Sequence, residues 1–260
     1  MTDNAKKQDE IENHCMERLK KNISSDNSYG FSVDEFLLFE DIFETIEKNK
    51  NSNKFPDFIL QEGFVEHFVV TSSQENKKGA SHKIAEVNYL KENKKIVEQL
   101  SPDSETYSNK MNYEGHSYAN LQNSFKKNWN KHIQSLQKYN GEQKNGIFLI
   151  EYLDHMALSM CELSLDDKPK ITCGDYKLIP QEKTHDYRLS RDKKMLDWIS
   201  TFDDKIDFVV FMTQEHVEII KLSGISELQT LLPYSYAVEP NMTFRAVRGM
   251  QMFKINNKLE

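Results

Sequence analysis

At 260 residues the chain lies between one large domain and two small ones, and its 38% apolar and 29% charged residues describe a soluble globular protein with material for a sizeable core. A net charge of −7 excludes a nucleic-acid affinity carried by the molecule as a whole, so any such function must rest on a local basic patch. Three cysteines, Cys15, Cys161 and Cys173, are an odd number without CxxC spacing; they argue against a disulfide framework or zinc knuckle and for a reducing, cytoplasmic compartment.

The N-terminal run MTDNAKKQDEIENH is polar and acidic, unlike a signal or transit peptide, and no window approaches about 18 uninterrupted apolar residues, so no membrane span is expected. A short helix is expected over roughly Asp9 to Asn22, closed by the turn-rich ISSDNSYG. Ser32 to Glu35 spells a capping box, and Phe36, Phe39, Phe43 and Ile46 space an apolar stripe that predicts a helix through Lys48. Glu40 falls inside that stripe by angle, unless it reaches solvent from the helix edge. After a polar turn, two apolar runs predict strands over 55–60 and 64–72. Only Gln61 to Gly63 separates them, so they should be antiparallel neighbours. The loop from Ser72 leads to a helix over about 84–100, and 101–118 is the one candidate linker.

A long helix follows from Ala119 to Tyr139, with Leu121, Phe125, Trp129 (or Asn128), His132 and Leu136 near one face. Residues 146–153, GIFLIEYL, are a nearly continuous apolar run, the pattern of a central strand covered on both faces. Beyond Asp154 the pattern weakens. Residues 156–165 fit helix or strand, 176–179 a short strand, and 191–202 a helix. Strands over 206–212 and 216–221 are joined by a hairpin-length loop, and 226–232 is helical before an irregular tail. The expectation is an α/β fold with a mixed central sheet flanked by helices. Residues 1–153 form its core and 154–260 a C-terminal α/β extension on the same sheet.

Two acids interrupt the apolar strands. Phe55, Asp57 and Ile59 share one face of the first, and Phe64, Glu66, Phe68 and Val70 one face of the second. An ionised carboxylate there is costly unless something positive meets it. Paired strands would let the two carboxylates converge on one cation; the alternative is two structural acids near strand ends, solvated or tied to local lysines. A basic stretch follows, with eleven lysines against six acids between Lys77 and Lys138, and aromatic residues and histidines among them. Such a stretch can track a phosphate backbone, or be the solvated side of two helices. Glu151, Asp154 and His155 cluster at the end of the buried strand, either as a ligand site or with Asp154 capping the next helix. No HExxH, GxSxG, GxGxxG or P-loop frame occurs.

The element order, with Pro56-Asp57 on one strand and Glu66 on the next, resembles the PD-(D/E)XK, or restriction-endonuclease-like, nuclease superfamily over about residues 32–153. The EHF block followed by SS and KKG also resembles a recurring block of uncharacterised bacterial proteins, which assigns no activity. The nuclease resemblance implies a restriction-endonuclease-like core hydrolysing phosphodiester bonds in DNA or RNA, with defence against foreign nucleic acid as the setting. Asp57 and Glu66 would be catalytic and hold Mg²⁺ (or Mn²⁺), with Glu40 as the acid that some members supply from the preceding helix. The family's lysine, two residues after the second acid, is Phe68 here. Lys78, or Lys77, would have to reach back in its place, since alternation sends His67 to the opposite face. Nucleic acid is the implied partner, DNA ahead of RNA, with Lys126, Lys127 and Lys131 as backbone contacts; a protein partner or second copy also remains open. The competing reading is a non-catalytic interaction or sensor subunit on the same scaffold.

Overall fold

The computed structural model describes residues 3–50, 54–73, 116–141, 143–154, 157–165, 178–184, 187–231 and 235–240, with isolated positions at 88, 91 and 95. Helix α1 spans Asp3–Asn22 and α2 Val33–Ile42. The start of α2 follows its capping box: Ser32 Oγ accepts the Glu35 N–H at 3.4 Å, and Glu35 Oε2 accepts the Ser32 N–H at 2.9 Å. Its end comes sooner than the apolar stripe predicts. The chain tightens into a 3₁₀ turn at Phe43–Thr45, and Glu47–Lys48 become strand β2, antiparallel to β3 (Phe58–Leu60). Phe43 still packs on Phe39, ring centroids 5.0 Å apart, so the stripe does its packing across a change of secondary structure.

Strands β3 and β4 (Gly63–Val70) form the expected antiparallel hairpin, with Phe58 opposite Val65 and Leu60 opposite Gly63. A Cβ on Gly63 would meet the Lys144 carbonyl oxygen at 2.1 Å, so the hairpin can sit against that turn only with glycine there. Strand β5 (Gly146–Tyr152) runs parallel to β4 on one side and to β8 (Phe208–Met212) on the other. It is therefore central, as its apolar run requires. Strand β8 turns back into antiparallel β9 (Val217–Lys221), and β1 (Ser28–Tyr29) joins β9 in parallel. The mixed seven-stranded sheet has the order β1-β9-β8-β5-β4-β3-β2, so residues on both sides of 153 build it. A separate antiparallel sheet, β10-β6-β7, joins β6 (Leu158–Leu165), β7 (Leu178–Thr184) and β10 (Ser235–Pro240). Residues 158–165 are thus strand, and part of the expected irregular tail is strand as well. Apart from the isolated positions 88, 91 and 95, the expected helix over 84–100 lies outside the described residues, as does most of the 101–118 linker.

Helices cover both faces of the large sheet. On one, α3 (Tyr118–Leu136), N-capped by Ser117, lays Leu121, Phe125, Trp129, Ile133 and Leu136 on Phe64 and Phe68 of β4 and Phe148 and Ile150 of β5. Helices α4 (Lys193–Ser200) and α5 (Ile225–Leu231) extend this layer through Met195, Leu196, Ile199 and Leu228. Burying each large side chain is worth about 1.5–3 kcal/mol. On the other face, Cys15, Met16 and Leu19 of α1 and Phe39 of α2 pack on Val65, Ile147, Leu149, Val210 and Ile219. No helix among the described residues is long and apolar enough to cross a membrane.

Candidate metal centre

Asp57 and Glu66 face each other where the β3–β4 ladder ends. The strand begins at Phe58, one residue after Asp57, because the backbone of Asp57 is used differently. Its N–H donates to Glu66 Oε2 at 3.1 Å, and its carbonyl accepts the Asn49 N–H at 2.9 Å. In return, Asp57 Oδ2 accepts the backbone N–H of His67 at 2.8 Å. The convergence that alternation suggests is therefore present, built from two side chains that replace one rung of the ladder.

Glu66 projects from the α3 face of β4, where His132 meets it: Nδ1 lies 2.6 Å from Glu66 Oε1. The imidazole stacks on Phe68, ring centroids 4.7 Å apart and planes 11° from parallel. Phe68 stands where the nuclease pattern has lysine, and what it does here is hold a histidine ring. The sequence placed His132 on the apolar side of its helix, and that placement beside an acid-bearing strand was the available signal for this contact. His67 behaves as alternation demands, its ring on the opposite face from Glu66, with Nε2 3.6 Å from Glu151 Oε2.

The electrostatics follow from burial. Glu66 is 6% exposed. Burial pushes the Asp57 carboxyl up to about 7, with the Glu66 charge adding to the rise and the His67 N–H opposing it. Burial likewise pushes Glu66 up to about 8; the Asp57 N–H opposes this, while the nearby Glu12 charge adds to it. At neutral pH the pair retains protons. Burial first, and the Lys131 charge second, push His132 down to about 4, so its imidazole is neutral. The acid that α1 contributes to this field is Glu12, buried and paired with Lys48, whose Nζ also lies 3.4 Å from Asp9. Glu12 is a site neighbour that sequence spacing could not reveal.

Among the described residues no hydrogen bond or ion pair joins Glu40, half-buried on α2, to Asp57 or Glu66. Lys77 and Lys78 lie outside the described residues. On α3, Lys127 and Lys131 are exposed, while Lys126 is half-buried with Nζ 5.2 Å from the Trp198 ring centre. Asp154 does not cap a helix, since β6 follows it. Its Oδ2 accepts the Ser72 N–H at 2.6 Å and the Thr71 hydroxyl, tying the ends of β4 and β5 together. Ser72 Oγ lies 2.8 Å from His116 Nδ1, and the same nitrogen is 3.6 Å from Asp154. One nitrogen facing both partners cannot relay a proton across the ring, and Ser72 is fully buried, so this is a structural knot and not a nucleophilic triad. His155 lies outside the described residues.

Two facing carboxyls, one buried and one half-buried, whose protons are held chiefly by burial are oxygen ligands of the kind a hard divalent ion takes while retaining several waters. No family model matches the chain, and no match emerges among curated proteins or solved structures.

Proposed function

We propose that the chain is a cytoplasmic, metal-dependent nuclease-like hydrolase of phosphodiester bonds, acting on DNA ahead of RNA, in defence against foreign nucleic acid. The observation that supports this reading is the facing pair of half-buried Asp57 and buried Glu66, each carboxyl accepting a backbone N–H from the other's segment and raised to about 7 and 8. Both carboxyls would hold Mg²⁺ or Mn²⁺, with Glu40 a third candidate if α2 shifts toward them. The bound ion would supply Lewis acidity and a more acidic water. With Glu66 ionised on the metal, His132 Nδ1–H would donate to it, and the neutral imidazole would keep Nε2 as an acceptor to orient the attacking water. That role is the one the missing lysine would have filled; Lys78 or Lys77 is the other candidate. Lys127 and Lys131 would contact the phosphate backbone, with Lys126 contributing less because it lies over Trp198.

The test is cleavage of supercoiled plasmid, single-stranded DNA and RNA by the purified chain with Mg²⁺ or Mn²⁺. Metal-dependent cutting by wild type, lost in Asp57→Asn with the fold intact, supports the reading. Lys78→Ala and His132→Gln then separate the two candidates for the lysine's role. No cutting of any substrate sinks it.

The second reading, a non-catalytic interaction or sensor subunit, is favoured by one observation. Helix α2 exposes Val33 (78%), Leu37 and Leu38 (65%), an apolar surface that a protein partner or second copy would cover.

A further inference from the structure

We propose that Cys15, His67 and Glu151 form a second site, for one zinc-class divalent cation held through sulfur, nitrogen and oxygen. Helix α1 supplies Cys15, strand β4 His67 and strand β5 Glu151, and one ligand atom from each lies within 4.8 Å of the other two. The parallel register sets His67 opposite Leu149, which brings the Glu151 side chain diagonally beside it on the same sheet face.

His67 is the observation that points to a ligand. The residue is 5% exposed, and neither ring nitrogen has a hydrogen-bond partner. An imidazole buried with both nitrogens idle is costly, and the fold meets that cost at the centre of its main sheet. Nε2 stands 3.6 Å from Glu151 Oε2, too far for a hydrogen bond. Two ligands on one tetrahedral zinc, with bonds of about 2.0–2.2 Å, lie roughly 3.3–3.6 Å apart. The separation suits a shared ion better than direct contact.

Charge and softness agree. A thiolate, a carboxylate and a neutral imidazole around a dication sum to zero, which a buried position tolerates. Thiolate and imidazole select zinc-class metals over Mg²⁺. Glu151 is half-exposed and leaves a route for water to a fourth position, the composition of an open zinc site. A thiol-nucleophile role for the same residues fits less well: burial, with Glu151 beside it, pushes the Cys15 thiol up to about 12, so it is protonated and unreactive until a metal displaces the proton. This site is on the α1 face of β4, opposite Glu66, and stands whether or not the chain is a nuclease.

The test uses the full chain stripped with chelator and titrated with Co²⁺, Zn²⁺ and Mg²⁺. The wild type should bind one Co²⁺ with a thiolate-to-metal charge-transfer band in the near ultraviolet, bleached by Zn²⁺ and untouched by Mg²⁺. Cys15→Ser should abolish the band while keeping the far-ultraviolet circular dichroism of wild type. His67→Gln and Glu151→Gln should each weaken Zn²⁺ binding by at least about tenfold, the scale of a lost supporting contact. Absence of Co²⁺ binding, binding without the band, or a band surviving in Cys15→Ser (which would assign it to Cys161 or Cys173) overturns the site. The wild-type spectrum alone decides the first two outcomes, so they need no variant to fold.

Discussion

His132 Nδ1 lies 2.6 Å from Glu66 Oε1, a side-chain contact that, with Asn128 Nδ2 donating to the Val69 carbonyl at 3.3 Å, joins helix α3 to strand β4 within a largely apolar layer. Removing the imidazole would strand a buried carboxyl oxygen and open a void against Phe68. His132→Ala should therefore cost about 2–3 kcal/mol. His132→Gln, which restores a donor, should cost less. Urea midpoints at pH 7 measure both, and equal losses would assign the contact's value to stacking on Phe68 alone.

The carboxyl pair makes stability depend on pH with a definite sign. Asp57 and Glu66 sit near 7 and 8 in the folded chain against ordinary values of 3.8 and 4.5, so the folded state holds protons that the unfolded chain has released. Their contribution is fully present below about pH 4 and is lost as pH rises through 7 and 8. His132 runs the other way: with a folded value near 4 against 6.5, it removes stability as pH falls from 6.5 to 4. The two trends partly cancel below pH 6.5, so the steepest loss falls between about 6.5 and 8. Metal-free wild type should lose on the order of 1–3 kcal/mol over that interval, and Asp57→Asn should flatten the curve. Stability rising with pH across 6.5–8 would show that the pair is not buried as described.

Trp129 is fully buried, edge-on to Phe148 with ring centroids 4.8 Å apart and against Trp198 at 5.6 Å. Trp129→Ala should cost about 3–5 kcal/mol in chemical denaturation. A loss under about 1 kcal/mol would mean that α3 does not pack on the sheet through this residue.

Much of this was legible in the sequence, for local reasons. The hairpin was fixed by a three-residue separation, the central position of β5 by a run apolar on both faces, and the start of α2 by a capping box. The approach of Asp57 to Glu66 followed from alternation once the strands paired. What stayed hidden depends on contacts distant in sequence. Ser28–Tyr29 is strand only because β9 lies beside it, and no two-residue segment signals that. The apolar stripe through Ile46 reads as helix, but only Phe39 and Phe43 of it are buried, and pairing with β3 decides for strand at Glu47. Cys15, His67 and Glu151 come from three separate elements, so no spacing could have grouped them.

Exposed Lys127 and Lys131, four residues apart on α3, carry the nucleic-acid expectation. If both contact phosphates, reversing them to glutamate should flatten the dependence of log affinity on log salt by about 1.8 for duplex DNA, similarly for all sequences. Fluorescence anisotropy on two unrelated duplexes between about 50 and 200 mM salt reads this directly. An unchanged slope would move the contact surface elsewhere, and no binding even at about 50 mM would favour the interaction-subunit reading.

The shared ion is tested most directly by equilibrium Mn²⁺ binding at pH 8, read from the free-ion paramagnetic resonance signal in wild type, Asp57→Asn, Glu66→Gln and Cys15→Ser. At this pH the proton on the pair yields most readily to a metal. A cation bridging Asp57 and Glu66 requires one Mn²⁺ in wild type, a loss of at least about tenfold (1.4 kcal/mol) in affinity for either carboxyl variant, and no change in Cys15→Ser. Equal Mn²⁺ binding by wild type and both carboxyl variants, or none by any, would contradict a metal centre at Asp57 and Glu66.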